Sequence, residues 1–387
     1  MMRCVRIGFG KIARIHEEQL TKFGVVTIGV LETSISRQQE VIAAGFHLYT
    51  SLAAAAKDSP DFYDLCIPAD VRLEVLVTLC KLAPDANILI EKPICGADDI
   101  DEIRRILTSH RGKVSINENY ATSNVTKAVL QSIEDLKITP IRVIIESTKH
   151  RGLDFLTGRY RDNRLGAIGY EGSHLLAIIH QFGPAYDFNE FVESDIDHMQ
   201  VSARDVKIAK IKLPDLPQRD ANVVLRNQGS AYIRYRANNG CMVDLYTSMS
   251  GQIGFPLAPY APLGQIIPLE DSRTRYRMLR VEGTDSAGGL YQIIGFYEPI
   301  AHLARSLGQL IIFKDRVQQG STATFEDNTM AQHLSRILKY FQQREATSNS
   351  NPYSFETALK DVVLLNGWMG TINKATEPLS FRRDEGH

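Results

Sequence analysis

Lys92 stands in the tripeptide Glu91-Lys92-Pro93, at the end of a short apolar run from Asn87 to Ile90. Proline bars the residue before it from the α region, so Lys92 is held extended at the end of that run. An ammonium fixed there can stabilise an alkoxide as hydride leaves its carbon, or lower the pKa of the hydroxyl. A salt-bridged surface lysine is the competing account. A second set of proton-moving groups, Tyr170, Glu171 and His174, lies within one short segment. On a helix, Tyr170 and His174 share a face, which could put a phenol beside Lys92 and make it more acidic. Glu171 could instead orient the imidazole, or His174 could simply pack or cap.

Such chemistry needs an acceptor for the hydride, and the start of the chain offers a place for one. Gly8-Phe9-Gly10-Lys11-Ile12-Ala13 follows a β-rich run and opens a helical pattern. Gly8 permits the tight bend, Gly10 lets backbone N–H groups approach a pyrophosphate, and Ala13 lets the helix pack on the strand. The next strand-like run, Val25 to Leu31, ends in Glu32. A carboxylate there accepts hydrogen bonds from an adenosine ribose and repels a 2′-phosphate, so NAD is favoured over NADP. Arg37 tempers that preference.

Positioning these groups calls for a doubly wound α/β domain. Strand candidates at 3–8, 26–31, 47–49, 63–67, 87–90 and 113–117 alternate with helical patterns, as in a parallel sheet. Ser34, Ser51, Asp70 and Asp98 are candidate N-caps, and Gly24 and Gly45 suit helix ends. Ligands of such sheets sit at the carboxyl ends of the strands, so Gly8, Glu32, Pro68, Glu91 and Asn117 should border one crevice. The amides of Asn117 and Asn119 could hold a carboxamide, or simply form turns.

After Asn117 the pattern changes. A helix over about 123–136 leads to a strand at 141–147, and β-rich runs follow at 203–212, 221–226, 231–237, 241–248, 277–282 and 290–294. Asn238-Asn239-Gly240 is a hairpin signal, and the set reads as a largely antiparallel open sheet in an α+β domain. The expected division is 1–121 for nucleotide binding and 122–387 for substrate binding and oligomerisation. A proline-bearing loop spans 251–271, and a helix at 355–372 is placed to dock on the body.

The whole chain has 387 residues, 44% hydrophobic and 23% charged, with net charge -1. That is ordinary globular composition without a broad basic surface, which argues against duplex nucleic acid or an anionic membrane as main partner. Five cysteines without C-x-x-C spacing suit reduced thiols. With no apolar leader at the start, a soluble cytoplasmic protein is expected. No second ligand cluster accompanies Glu171 and His174, and His180 is badly spaced, so no metal is expected.

The glycine turn, the E-K-P tripeptide and the antiparallel second half together resemble the glucose-fructose oxidoreductase / inositol dehydrogenase / MocA family of NAD(P)-dependent oxidoreductases. The resemblance runs in order along nearly the whole chain. It implies a Rossmann domain, Lys92 as the catalytic lysine, and a C-terminal sheet that often builds oligomers, hence a homodimer or homotetramer. The family usually carries D-x-G-x-H-x-x-D, and the matching segment here is Tyr170-Glu171-Gly172-Ser173-His174-Leu175-Leu176-Ala177. Tyr170 and Ala177 replace the two aspartates, which alters the usual proton relay. Arg72 replaces a common histidine and is expected to be a solvated helix residue.

Residues 149–164 hold Lys149, Arg151, Arg159, Arg161 and Arg164 against Asp154 and Asp162. In the family this region faces the substrate, which suggests an anionic one, although such runs are often solvated loops. The expected cofactor-binding residues are thus Gly8, Phe9, Gly10, Lys11, Ile12, Glu32, Pro68, Glu91, Lys92 and Asn119. Tyr120, Arg151, Arg159, Tyr170, His174 and Lys92 are expected to meet substrate. The implied activity is hydride transfer between nicotinamide and a secondary alcohol or ketone of a sugar-like or cyclitol-like molecule. The alternatives are a non-catalytic NAD-binding sensor or scaffold, and redox-neutral elimination or glycoside cleavage.

Overall fold

The short apolar runs before Asn117 align as one parallel sheet in the computed structural model, which describes residues 1–156, 166–202, 210, 224–257, 264–269, 274–298, 304, 306–344 and 350–376. Its strands are β1 (Arg3–Ile7), β2 (Val26–Leu31), β3 (Leu48–Tyr49), β4 (Phe62–Leu65), β5 (Asn87–Glu91) and β6 (Val114–Asn117). They stand in the order β3-β2-β1-β4-β5-β6. The crossovers contain α1 (Lys11–Lys22), α2 (Ile35–Ala43), α3 (Leu52–Lys57), α4 (Arg72–Leu82) and α5 (Ile100–Ser109). Helices on both faces explain why a central strand such as β4 is buried at every position. This is a Rossmann-like domain, and its strand order reverses between β1 and β4, which opens the crevice at Gly8 and Pro68.

Local signals are only partly realised. Ser51 caps α3 by accepting from the Ala54 N–H. Ser34 precedes α2 but makes no side-chain cap. Asp70 and Asp98 are not N-caps: each lies inside a short 3-10 turn, so Val71 and Asp99 take the capping positions of α4 and α5.

The second half begins with α6 (Asn124–Asp135), β7 (Thr139–Thr148), α7 (Gly152–Leu156) and α8 (Gly166–Ile179). Then come β8 (Phe188–Ser202), β9 (Val224–Ala237), β10 (Met242–Ser248), β11 (Tyr276–Thr284), β12 (Leu290–Tyr297), β13 (Leu307–Lys314), β14 (Val317–Gln318) and β15 (Ala323–Glu326). The sheet runs β14-β13-β12-β11-β7-β10-β9-β8, with β15 on β13. Only β7 and β10 pair in parallel among these described strands, so the sheet is mixed and mostly antiparallel. Asn238-Asn239-Gly240 forms the β9–β10 hairpin turn, with Gly240 at φ 83°. The run at 203–212 lies outside the described residues apart from Lys210, as do 221–223.

Helices α6 and α8 pack on one face of this sheet. On the other, Ile253 and Ile267 join Ile144, Tyr276, Met278, Ile294 and Phe296 in an apolar cluster, so the described parts of the loop over 251–271 lie against the sheet. Glu146 is buried there and accepts the Gly254 and Phe255 N–H groups, with its pKa pushed up to about 7 by burial.

The chain then returns to the first sheet. Helix α9 (Thr329–Gln342) brings Leu334, Ile337 and Phe341 against Leu20 and Phe62. Helix α10 (Phe355–Thr376) packs on α8 and α5, and Tyr353 just before it accepts the Ile116 N–H at 3.0 Å. None of the described helices is long and apolar enough to cross a membrane.

Candidate active site

Lys92 leaves the end of β5 across a cis Lys92–Pro93 peptide. Its Nζ donates to the Tyr170 carbonyl oxygen at 2.7 Å, so the bond recorded between these two residues is to main chain. Arg72, expected in solvent, is buried instead. Its Nη1 donates to the Pro93 carbonyl, and Nη2 donates to that of Ile67 at 2.5 Å. These carbonyls belong to the turns after β5 and β4, which point inward from the sheet's edge and need donors. Burial lowers the Arg72 pKa to about 10, which still leaves it charged at neutral pH. Arg72 therefore braces the turn that presents Lys92.

Helix α8 supplies the facing wall. Gly172 lets it pack tightly, because a Cβ there would stand 2.7 Å from the Leu365 side chain of α10. One turn of α8 carries Tyr170, partly buried, with Glu171 and His174, both buried. His174 Nδ1 is 2.5 Å from Glu118 Oε1. Burial alone would raise the Glu118 pKa, but His174 and Lys92 hold it below its ordinary value. Glu171, the expected partner of the imidazole, is 3.9 Å from His174 Nε2 and is bound by Arg151 at 2.5 Å and Arg277 at 3.5 Å. Burial opposes its charge, yet Arg151, Lys92 and His174 keep it ionised well below the usual carboxylate range.

Tyr120 completes this corner. Its ring meets His174 edge-on at 4.9 Å, and its hydroxyl bonds with Arg277 and lies 3.3 Å from Glu298. Glu118 and Arg277 were missed in the sequence. Glu118 sits between two asparagines that give a turn signal of their own, although a carboxylate just past a strand end in such a sheet belongs in the crevice. Arg275 and Arg277 alternate with Tyr276 and Met278, and that period of two puts both arginines on one face.

The nucleotide side fits a dinucleotide phosphate. Gly8 has φ 88°, and a Cβ there would lie 2.7 Å from the Cys66 carbonyl oxygen. Gly10 precedes α1 without any side-chain cap, the arrangement in which a helix N-terminus can receive an anion. Beside the turn lies a pocket of about 510 Å³ lined by Gly10, Lys11, Arg14, Ile15, Glu18 and Arg37. Glu32 accepts from the Phe9 N–H at 2.8 Å and from those of Thr33 and Ser34 at 2.9 Å. Its carboxylate is thereby fixed over the turn. Phe9 is buried against Val30 and Val41, Ile12 is partly buried, and Pro68 is exposed at the mouth.

Other expected nucleotide contacts are engaged within the chain. Glu91 Oε1 lies 2.8 Å from His16 Nε2 and accepts from the Asn117 amide at 2.5 Å. Asn119 donates to Thr329 at 2.7 Å, which ties the β6 end to α9. His16 also faces Asp64 at 3.0 Å, and Arg6 reaches Asp64 at 2.9 Å. Among the described residues, His16, Asp64 and Cys66 are the one cluster with metal-ligand proximity. They are buried, and their polar atoms are engaged with each other and with Arg6.

No protein-family model matches this sequence, and no curated protein matches it. Solved structures share the fold over nearly its full length. A Desulfitobacterium hafniense protein assigned as an NADPH-dependent oxidoreductase has TM-score 0.69 at 12% identity, over 97% of this chain and 96% of that one. An oxidoreductase of Sinorhizobium meliloti has 0.65 at 12%, over 97% and 98%. UDP-N-acetylglucosamine 3-dehydrogenase of Acidithiobacillus ferrooxidans has 0.64 at 14%, over 96% and 97%. At such identities the likeness is one of fold.

The structure thus brings Lys92, Tyr170, Glu171, His174, Tyr120 and Arg151 to one corner, with Glu118 and Arg277 added. Arg159 lies outside the described residues. The five cysteines are all free, and Cys80 alone of them is not buried.

Proposed function

We propose that this protein is a nicotinamide-dependent oxidoreductase that transfers hydride between NAD and a secondary alcohol or ketone of a sugar-like or cyclitol-like molecule. The observation that carries the proposal is the convergence of the Lys92 ammonium with the Glu118–His174 pair, at the carboxyl edge of the glycine-turn sheet. Gly8 to Ile12 would hold the dinucleotide, and Glu32, fixed by main-chain donors, would select a ribose hydroxyl over a 2′-phosphate. When bound, nicotinamide supplies the hydride acceptor.

The chain's own residues then have distinct tasks. Lys92 donates one N–H to Tyr170, and its other N–H groups are directed at the substrate oxygen, where they stabilise negative charge. His174, donating Nδ1–H to Glu118, leaves Nε2 as the acceptor of the hydroxyl proton. Glu118 stabilises the resulting imidazolium. A carboxylate from the end of β6 thus does for His174 what Glu171, taken by arginines, does not.

The test follows reduced-nicotinamide absorbance with NAD or NADP and a panel of neutral and anionic sugars, cyclitols and their keto forms. Turnover with NAD is expected. Lys92→Ala and His174→Asn should each lower kcat by roughly 10²–10⁴-fold while fluorescence still reports NAD binding. Tyr170→Phe should stay close to wild type, because Lys92 meets the carbonyl of that residue. Firm NAD binding with no turnover on any alcohol or ketone would overturn the oxidoreductase proposal in favour of a sensor or redox-neutral role.

A further inference from the structure

The wall beside α8 carries more positive charge than the hydride chemistry uses. Arg151 and Arg277 converge on Glu171, and Arg275 is bound to Glu298 at 2.8 Å. Lys149, directly after β7, is different. It is only 5% exposed, and among the described residues its Nζ has no hydrogen bond or ion pair. The charged groups within electrostatic reach are Arg151 and Arg275, which repel it, and Asp154 and Glu171, which attract it.

A buried ammonium with no direct partner and two guanidinium neighbours is costly to keep. Replacing it by an apolar side chain of similar volume would relieve the fold. Burial first, then Arg151 and Arg275, bring the Lys149 pKa down to about 7. An anion arriving beside Lys149 would pair with the ammonium, offset the repulsion between the cations and draw the amine back to its charged form. Ser147 and Thr148 pair with Arg277 and Tyr276 across β7 and β11, which sets Lys149 beside Arg275 and Arg277, and Arg151 two residues on binds Glu171 at 2.5 Å, so Lys149 stands on the same corner as His174.

We propose that Lys149, with Arg151 and Arg275 beside it, is the docking point for a carboxylate or phosphate group of the substrate whose carbinol is presented to Lys92. This rests on the oxidoreductase reading of the site and narrows its substrate to an acidic sugar or cyclitol. Arg275 contributes charge without competing for Glu171, since Glu298 holds it. Sugar acids and sugar phosphates share the required chemistry, and a substrate panel separates them.

Sulfate is the first probe, because it does not titrate near neutrality. Calorimetry on the full chain with NAD present compares wild type, Lys149→Met, which keeps the volume, and Lys149→Arg, which keeps the charge. Wild type is expected to bind one sulfate, with proton uptake above pH ~7 that shows as a dependence of the heat on buffer ionisation. Lys149→Met should weaken binding by roughly 10–100-fold, and Lys149→Arg should bind without proton uptake. In kinetics, the kcat/KM ratio of glucuronate to glucose, or of an inositol phosphate to inositol, should fall by a similar factor in Lys149→Met and recover in Lys149→Arg.

Sulfate binding that is indifferent to Lys149, together with turnover of neutral substrates, would overturn the anion site and leave the oxidoreductase standing. Lys149-dependent sulfate binding with no turnover would do the reverse.

Discussion

Beneath the glycine turn, Arg6 and His16 are buried among Glu17, Asp64 and Glu91, and each cation touches its carboxylates: Arg6 at 2.9 and 2.5 Å, His16 at 3.0 and 2.8 Å. Beside α8, Lys149, Arg151, Arg275 and Arg277 face Asp154, Glu171 and Glu298, and Lys149 touches none of the three. The first cluster hangs on α1 and on strands β1, β4 and β5, whose hydrogen-bonded spacing fixes the distances between its members. The second is assembled from a segment after β7, a helix and the start of β11. Paired charges in a rigid frame close on themselves and hold the fold. An excess cation that touches no carboxylate leaves room for a ligand's charge.

The largest expected effect breaks the closed cluster. Asp64→Asn leaves Arg6 and His16 buried against a neutral amide and should cost about 3–5 kcal/mol in urea unfolding. Burial opposes the Asp64 charge, but His16 and Arg6 hold its pKa well below normal, whereas Asp64 outweighs burial at His16 and raises the imidazole well above its ordinary value. The Asp64 contribution is therefore present above pH ~4 and lost as pH falls toward its lower folded value. The His16 contribution is full below pH ~6.5 and lost as pH rises through its raised folded value. Unfolding measured from pH 3 to 9, on the order of the range those values span, should show both limbs in wild type and neither in the variant. An unchanged midpoint would mean that the cluster is not closed.

Glu118→Gln probes the edge of the open side that is proposed to be catalytic. It should lower kcat by roughly 10–100-fold with little change in KM, while urea unfolding stays near wild type. Equal losses of stability and kcat would reduce Glu118 to a packing residue. The smallest effect sharpens the contrast between the clusters. Glu171→Gln removes one carboxylate charge from Arg151 and Arg277, so sulfate should bind about 3- to 10-fold more tightly, about 1 kcal/mol, even though the fold is weakened. Weaker sulfate binding would show that Glu171 shapes the site rather than competing for its cations.

Much of the first domain was legible because its information is local. Each parallel strand is a short apolar run between helices, and the glycine turn lies wholly within adjacent residues. The second sheet was less so. Strand β8 carries Glu190, Glu193, Asp195 and Asp197 and so does not read as a buried run, while β13, although it holds Leu310-Ile311-Ile312-Phe313, is not among the runs expected from the sequence. Helix α9 buries Leu334, Ile337, Leu338 and Phe341 against the other half of the chain, a destination its own periodicity does not name.

The sequence by itself determined the chemistry at hand: a glycine turn with a carboxylate at the next strand end, an ammonium held extended before proline, and an imidazole on a helix. Those are properties of residue types and near spacing. Which carboxylate meets which cation was decided only in three dimensions. Glu171 and Glu118 carry the same group, but Glu171 faces two arginines from distant segments and Glu118 faces His174. Arg72 and Lys149 are both cations that could have been solvated, and both are buried. Arg72 finds two carbonyls, whereas Lys149 finds only like-charged neighbours and carboxylates beyond contact. Burial and pairing are set by the packing of elements far apart in the chain, and no local pattern encodes them.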